Sequence, residues 1–249
     1  MSEDRFADLD FERFRELARD ESLTPRERVG FPGTVRQGKE TAIFEDVRLK
    51  LPSLELEGQA ILDIGAGCSE LTELLIAQCE TRGHNLTLVD SEEMLRRLPS
   101  GPRVTLLFGC FPRDCAELLR TGAGRFDAIL VYSVIQYVFA EANLFSFLDA
   151  AAGLLAPGGR MLVGDIPNAS MRRRFLGSEA GRRFHRDYMK TDAPPDLRYD
   201  ELDPGAIDDA VLTSLLLRYR SAGLHAYVLP QGTDLPMANR REDLVLHRP

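Results

Sequence analysis

A glycine bend followed by a carboxylate is the constellation in this chain best suited to holding a ligand. The segment AILDIGAGCSELTELL spans residues 60–75, and Gly65-Ala66-Gly67 separates an apolar run from an amphipathic one. Glycine lets a backbone turn sharply and lets a ligand approach it closely. A helix opening straight after such a bend offers free N–H groups, with Ser69 as the expected N-cap. The next apolar run ends in LTLVDS. Asp90 lies 25 residues beyond Gly65, where an acid can accept hydrogen bonds from two ribose hydroxyls.

Dinucleotides and S-adenosylmethionine both suit that geometry, and three features separate them. Glu70 stands where a dinucleotide fingerprint wants a glycine. Its carboxylate would repel a pyrophosphate and harm a cationic sulfonium ligand less. Asp63 precedes the glycines by two residues, giving D-I-G-A-G. The Tyr-x-x-x-Lys pair often used for hydride transfer on this kind of sheet is missing. The competing readings are an NAD-dependent oxidoreductase or epimerase, and a non-catalytic module that retains the ligand.

These residues need a frame. From residue 60 onward, short apolar runs at 60–64, 85–90, 103–108, 126–132 and 160–166 alternate with helical patterns. That rhythm predicts βαβ units and a parallel sheet with helices on both faces. In the first helix Leu71, Leu74, Leu75 and Gln78 trace one face; in the fourth, Leu144, Phe147, Leu148, Ala151 and Leu155 do. Pro157-Gly158-Gly159 is expected to end the latter and turn into the fifth strand. The last helix is predicted to start with Asp203 as N-cap and Pro204 in first position, to run through Ile207, Val211, Leu215 and Tyr219, and to stop at Gly223. Residues 224–229 and 243–247 read as closing strands. Residues 1–58 form an N-terminal helical cap, and residues 59–249 the main domain. A polar insertion at 167–202 follows the fifth strand, where lids and binding loops tend to lie.

Over residues 58–249 the chain resembles the class I S-adenosylmethionine-dependent methyltransferases. ILDIGAG resembles the first motif of that family and LVDSEEML the second, LLFGCFPRD the third, FDAILVYSVIQYV the fourth and LLAPGGRMLVGDI the fifth. The resemblance implies a seven-stranded, mostly parallel, Rossmann-like sheet whose seventh, antiparallel strand lies between the fifth and sixth. It implies S-adenosylmethionine as cofactor and S-adenosylhomocysteine as product. Asp90 becomes the ribose acid, with Ser91 beside it, and Cys110 and Phe111 face the adenine. Asp63, Gly65, Gly67, Tyr132 and Ser133 complete the cofactor set, with Arg36 as partner for the methionine carboxylate. The pattern departs from the family at Ser69, often glycine there, and at Gln136, where many small-molecule enzymes carry histidine. A finer resemblance, in VGFPGTVRQGKE, YSVIQYVF, GDIPN, SMRRRF and NRRED, is to a bacterial subgroup that modifies sugars and surface polysaccharides.

The acceptor is expected beyond the carboxyl ends of the strands, under the insertion and the loop 230–242. Residues 172–186 hold six arginines against one acid, Glu179. Arg172, Arg173 and Arg174, with Arg240 and Arg241, are the expected grip on a phosphate or carboxylate, which guanidinium groups hold in a fork. Asp165 and His185 are the candidate bases. The net charge of −8 argues against a general nucleic-acid surface and so against RNA methylation. Cys68, Cys79, Cys110 and Cys115 form no C-x-x-C pair, so neither a zinc site nor a disulfide is expected. The charged N-terminus lacks an apolar signal core and no run is long enough to span a membrane, which predicts a cytoplasmic enzyme; a homodimer is compatible with the sequence, which leaves the oligomeric state open.

Overall fold

The computed structural model describes residues 6, 9–31, 36–197 and 205–249. Three helices come first: α1 (Phe11–Arg19), α2 (Pro25–Arg28) and α3 (Glu40–Lys50). Strands and helices then alternate as β1 (Ala60–Ile64), α4 (Glu70–Arg82), β2 (Asn85–Asp90), α5 (Glu92–Leu95), β3 (Val104–Phe108), α6 (Ala116–Thr121), β4 (Phe126–Tyr132), α7 (Ile135–Glu141), α8 (Leu144–Gly153) and β5 (Leu155–Pro167). Helices α9 (Ala169–Gly177), α10 (Glu179–Met189) and α11 (Asp209–Ser221) precede the hairpin β6 (His225–Pro230) and β7 (Arg241–His247).

The seven strands form one sheet in the order β3-β2-β1-β4-β5-β7-β6. Strands β1 to β5 pair in parallel, and β7 runs antiparallel to both β5 and β6. This is the class I methyltransferase sheet that the motifs imply. Alternate residues of each strand feed opposite cores. Leu62, Ile64, Ile129 and Val131 pack with Phe147, Leu148, Leu212 and Leu215; Ile61, Ala128 and Leu130 pack with Val47, Leu75 and Ile76. With both faces covered, the central strands can be apolar throughout. The strand order reverses between β1 and β4, the place where such sheets open a ligand crevice.

Several details differ from the sequence reading. The buried face of α4 is Thr72, Leu75, Ile76 and Cys79, one residue round from the predicted stripe. Thr72 turns inward because its Oγ1 donates to Ala66 O at 2.5 Å and ties the helix to the glycine bend. Helix α8 ends at Gly153, so Leu155 belongs to β5, where it pairs with Phe126. The Pro157-Gly158-Gly159 turn therefore lies within that strand. Helix α11 is capped by Asp208, which accepts from Ala210 N and Val211 N at 3.0 Å each. The expected start at Asp203 and Pro204 lies outside the described residues. The insertion is a helical corner: α9 and α10 meet so tightly that a Cβ on Gly181 would lie 1.9 Å from Phe175 O.

Candidate active site

The bend between β1 and α4 depends on two glycines with positive φ, +75° at Gly65 and +64° at Gly67. A Cβ would lie 2.4 Å from Val134 Cγ2 at Gly65 and 2.8 Å from Val29 Cγ1 at Gly67. The bend is thus closed from two sides, by the residue preceding α7 and by the N-terminal segment. Gly65 N donates to Val89 O at 2.8 Å, which ties the bend to the end of β2. Asp90, the last residue of β2, is pinned at both carboxylate oxygens. Oδ2 accepts from Gly67 N at 2.8 Å and Oδ1 from Ser91 N at 2.6 Å. Each oxygen retains acceptor capacity for a ligand. Ser91 does not line the cavity; its Oγ accepts from Met94 N and caps α5. Ser69 occupies the N-cap position of α4 but makes no side-chain cap bond, and it lines the cavity.

A cavity of about 300 Å³ opens along these strand ends, a volume suited to a small molecule. Nine of the ten expected cofactor residues line it: Arg36, Asp63, Gly65, Gly67, Asp90, Cys110, Phe111, Tyr132 and Ser133. Asp63 is buried and its carboxylate has no hydrogen-bond partner among the described residues. Burial, and then the charge of Asp90, push its pKa up to about 8. Such an acid is short of a cation. Burial also raises the Cys110 thiol, which suits a wall residue better than a nucleophile.

The opposite wall is built from distant segments. Arg36 is buried, with its guanidinium 3.6 Å from the centroid of Phe31 and 5.7 Å from that of Tyr132. Its Nη2 donates to Ser133 Oγ at 2.7 Å and to Asp165 Oδ2. Ser133 Oγ in turn donates to the same Asp165 oxygen at 2.7 Å. Arg241 donates to Asp165 O at 2.7 Å and to Oδ2 at 3.2 Å. Ser133 and Asp165, neighbours at the ends of β4 and β5, adopt φ of +61° and +62°. Positive φ in non-glycine residues is strained backbone of the kind that clusters at functional sites.

The acceptor-side expectations separate. Asp165 does not line the cavity and its carboxylate is engaged by two arginines and a serine. His185 lies on α10, away from the cavity wall. Arg174 pairs with Asp209, and Arg173 meets Ser170 Oγ at 3.5 Å. Arg240 sits 5.4 Å from the Phe184 ring centroid, and Arg172 is exposed. None of these arginines lines the cavity. What does, and was missed, is aromatic: Phe11, Phe14, Phe31 and Tyr137, with Phe14 edge-on to Tyr137 at 5.0 Å. The available signal was Phe11 and Phe14, three apart and on one face with Leu17 and Ala18 of a helix whose other residues are charged.

Residues 62–163 match the family model of the methyltransferase domain. On the seven-stranded sheet, residues 62–163 thus carry the sequence pattern of a methyltransferase domain. A ubiquinone biosynthesis O-methyltransferase from Caulobacter sp. (strain K31) is 35% identical over 112 residues, 44% of this chain and 42% of that protein. Chondramide synthase cmdD from Chondromyces crocatus is 32% identical over 126 residues, 47% of this chain and 3% of the synthase. The chain thus spans less than half the length of these relatives. Among solved structures, N-methyltransferase NodS from Bradyrhizobium japonicum WM9, in complex with S-adenosyl-L-homocysteine, superposes with a TM-score of 0.56 at 16% identity, covering 96% of this chain and 98% of NodS. The plantazolicin methyltransferase BpumL, in complex with a triazolic desmethylPZN analog and SAH, gives 0.57 at 13% identity, covering 96% of each chain. These structures share the domain's fold over nearly its whole length. No helix among the described residues is long and apolar enough to cross a membrane, and no group of three or more His, Cys, Asp or Glu is arranged for a metal.

Proposed function

We propose that this chain transfers a methyl group from S-adenosylmethionine to a small-molecule acceptor and releases S-adenosylhomocysteine. The observation that carries the reading is Asp90, held by Gly67 N and Ser91 N beside a glycine bend no side chain could fill. Bound S-adenosylmethionine supplies a methyl group already activated on a cationic sulfonium. The chain's own residues fit it: Asp90 takes the ribose hydroxyls, and Cys110 and Phe111 form the adenine wall. Asp63, buried and without a hydrogen-bond partner among the described residues, takes the ammonium; Arg36 takes the carboxylate. Tyr132 and Ser133 complete the floor.

Alignment of acceptor, methyl and leaving group is the chain's main contribution to rate. Asp165 is withdrawn from base duty by its ion pairs, and His185 on α10 is the remaining acid–base candidate. The narrower reading of the acceptor is a metabolite bearing a phosphate or carboxylate, a sugar among them. Arg172 and Arg240 support it, since neither has a carboxylate partner among the described residues. Residues 1–58 serve as the cap that closes the cofactor cavity, through Phe11, Phe14 and Val29.

Titration calorimetry tests the cofactor. Wild-type protein should bind S-adenosylmethionine and S-adenosylhomocysteine but no nicotinamide nucleotide, and Asp90→Ala should weaken both by on the order of 10–100-fold. Binding of a nicotinamide nucleotide with no heat from either adenosyl ligand would overturn the reading. Transfer of labelled methyl to phosphorylated rather than neutral sugars would support the narrower acceptor.

A further inference from the structure

The ion pair at Asp165 is one end of a longer buried chain of charge. Lys50, at the end of α3, donates to Asp243 Oδ2 at 2.6 Å and also pairs with Asp46. Asp243 is fully buried in β7, and its Oδ1 accepts from Gln231 Nε2 at 3.0 Å and from Asp165 N at 2.8 Å. That last bond falls where the pairing of β5 with β7 shifts register, between Val163 and Ile166. A carboxylate side chain stands in for the ladder partner that the bulge removes. The bulge turns Asp165 out of the strand toward Arg36 and Arg241.

Charge is distributed unevenly along this chain. At the back, Lys50 faces two carboxylates. At the front, Asp165 faces two guanidiniums, one of which, Arg36, lines the cavity. The front therefore holds one unmatched positive charge. The Arg36 guanidinium makes its hydrogen bonds through Nη2, and among the described residues its Nη1 and Nε have no hydrogen-bond partner. A guanidinium held at one nitrogen and open along the rest of its fork is preorganised to receive a carboxylate.

We propose that Asp165 is a positioning residue: seated by Asp243 and Lys50, it aims Arg36 at a ligand carboxylate and so makes the site select adenosyl ligands that carry an amino-acid tail. The proposal rests on the cofactor reading above. It gives Asp165 a role through Arg36 rather than at the reacting atoms. Ser133 is the second support, because its hydroxyl bridges Arg36 and Asp165.

The test compares S-adenosylhomocysteine with 5′-methylthioadenosine, which keeps the nucleoside and lacks the amino-acid tail. Calorimetry on the full chain gives the ratio of the two affinities. In Asp165→Asn the affinity for S-adenosylhomocysteine should fall on the order of 10–100-fold while that for methylthioadenosine stays within about 2-fold. Arg36→Gln should lower the ratio equally, and Asp165→Asn should add little to it in the double variant. If Asp165→Asn does not fold, Ser133→Ala carries the same test, with a fall in the ratio of about 3–10-fold. An equal loss for both ligands, or an unchanged ratio, would overturn the positioning role. Wild-type protein that binds neither ligand would overturn the cofactor reading and this proposal together; binding of both with a ratio insensitive to these variants overturns the proposal alone.

Discussion

The Asp90 wall of the cavity is held by residues 60–91 of continuous sequence, whereas the Arg36 wall draws on residues 36–50, the ends of β4 and β5, and β7. On the first wall the backbone does most of the holding: Gly65 N, Gly67 N and Ser91 N fix the bend and its carboxylate. On the second, side chains from positions 36, 50, 133, 165, 241 and 243 hold one another by charge. The hydrogen bonds of the first wall are local, and the rest of the chain reaches its bend through the side chains of Val29 and Val134. The second exists only once residues 36–50 and 241–243 have met at the sheet, so the cofactor recognition proposed for Arg36 depends on the completed fold.

The largest effect expected from that contrast is at Lys50. Lys50→Met leaves the buried Asp243 and the partly buried Asp46 without their cation, and breaking a buried pair from one side costs about 3–5 kcal/mol. Urea unfolding reads the loss. A loss under 1 kcal/mol would mean that the second wall does not depend on the charge chain. On the first wall, Gly65→Ala places a Cβ 2.4 Å from Val134 at φ +75°. Strain and overpacking together cost about 2–4 kcal/mol. Cofactor binding should be lost with it, because the bend moves away from Asp90. An alanine variant of normal stability and affinity would show that the bend tolerates a side chain.

The same contrast explains what the sequence could disclose. The strands, the glycine bend, Asp63, Asp90, Cys110 and Phe111 were legible because each lies within a few residues of the pattern that gives it meaning. The order β5-β7-β6 followed from the family resemblance, not from periodicity. Arg36 reached the cavity as expected, but its partner Asp165 was read as a base, because a carboxylate at a strand end looks the same in sequence in either role. The bulge at Asp165, whose N–H donates to a residue 78 positions away, is what favours the positioning role proposed above. The arginine-rich insertion was read by composition; its helices instead direct Arg174 to Asp209 and leave the cavity to aromatic residues of α1. Lys50 and Asp243 carried no local signal at all.

Asp63 offers a test through protons. Its carboxyl titrates near 8 in the folded chain, chiefly from burial, against about 4 when unfolded. The folded state then keeps a proton that the unfolded state releases, so stability of the free protein should fall as pH rises from about 4 to 8 and level off above. A ligand ammonium at Asp63 favours its ionised form. Binding at pH 7 should therefore release protons, seen as a buffer-dependent heat in calorimetry, and the release should fade above pH 9 and vanish in Asp63→Asn. Binding heat at pH 7 that is independent of buffer would remove Asp63 from contact with the ligand's cation.

The smallest effect concerns the aromatic roof. Helix α1 carries Phe11 and Phe14 over the cavity and is fastened to α5 by Arg15 and Arg19, both paired with Glu93. Arg15, through its hydrogen bond, holds the Glu93 carboxyl down at about 2. The pair nonetheless lies near the surface, with side-chain exposures of 32% for Arg15 and 17% for Glu93, so solvent screens it and its contribution to stability is small. Glu93→Gln should leave overall stability nearly unchanged and loosen the roof alone. The cofactor dissociation rate should rise about 2–5-fold, with a similar rise in wild-type protein at high salt and little further change in the variant. Because the folded pKa lies below the unfolded one, the fastening holds above about pH 4.5 and weakens as pH falls toward 2. A dissociation rate that ignores both the substitution and salt would mean that α1 is held over the ligand by Phe11 and Phe14 packing alone. The roof would then resemble the local, backbone-held wall rather than the charge-held one.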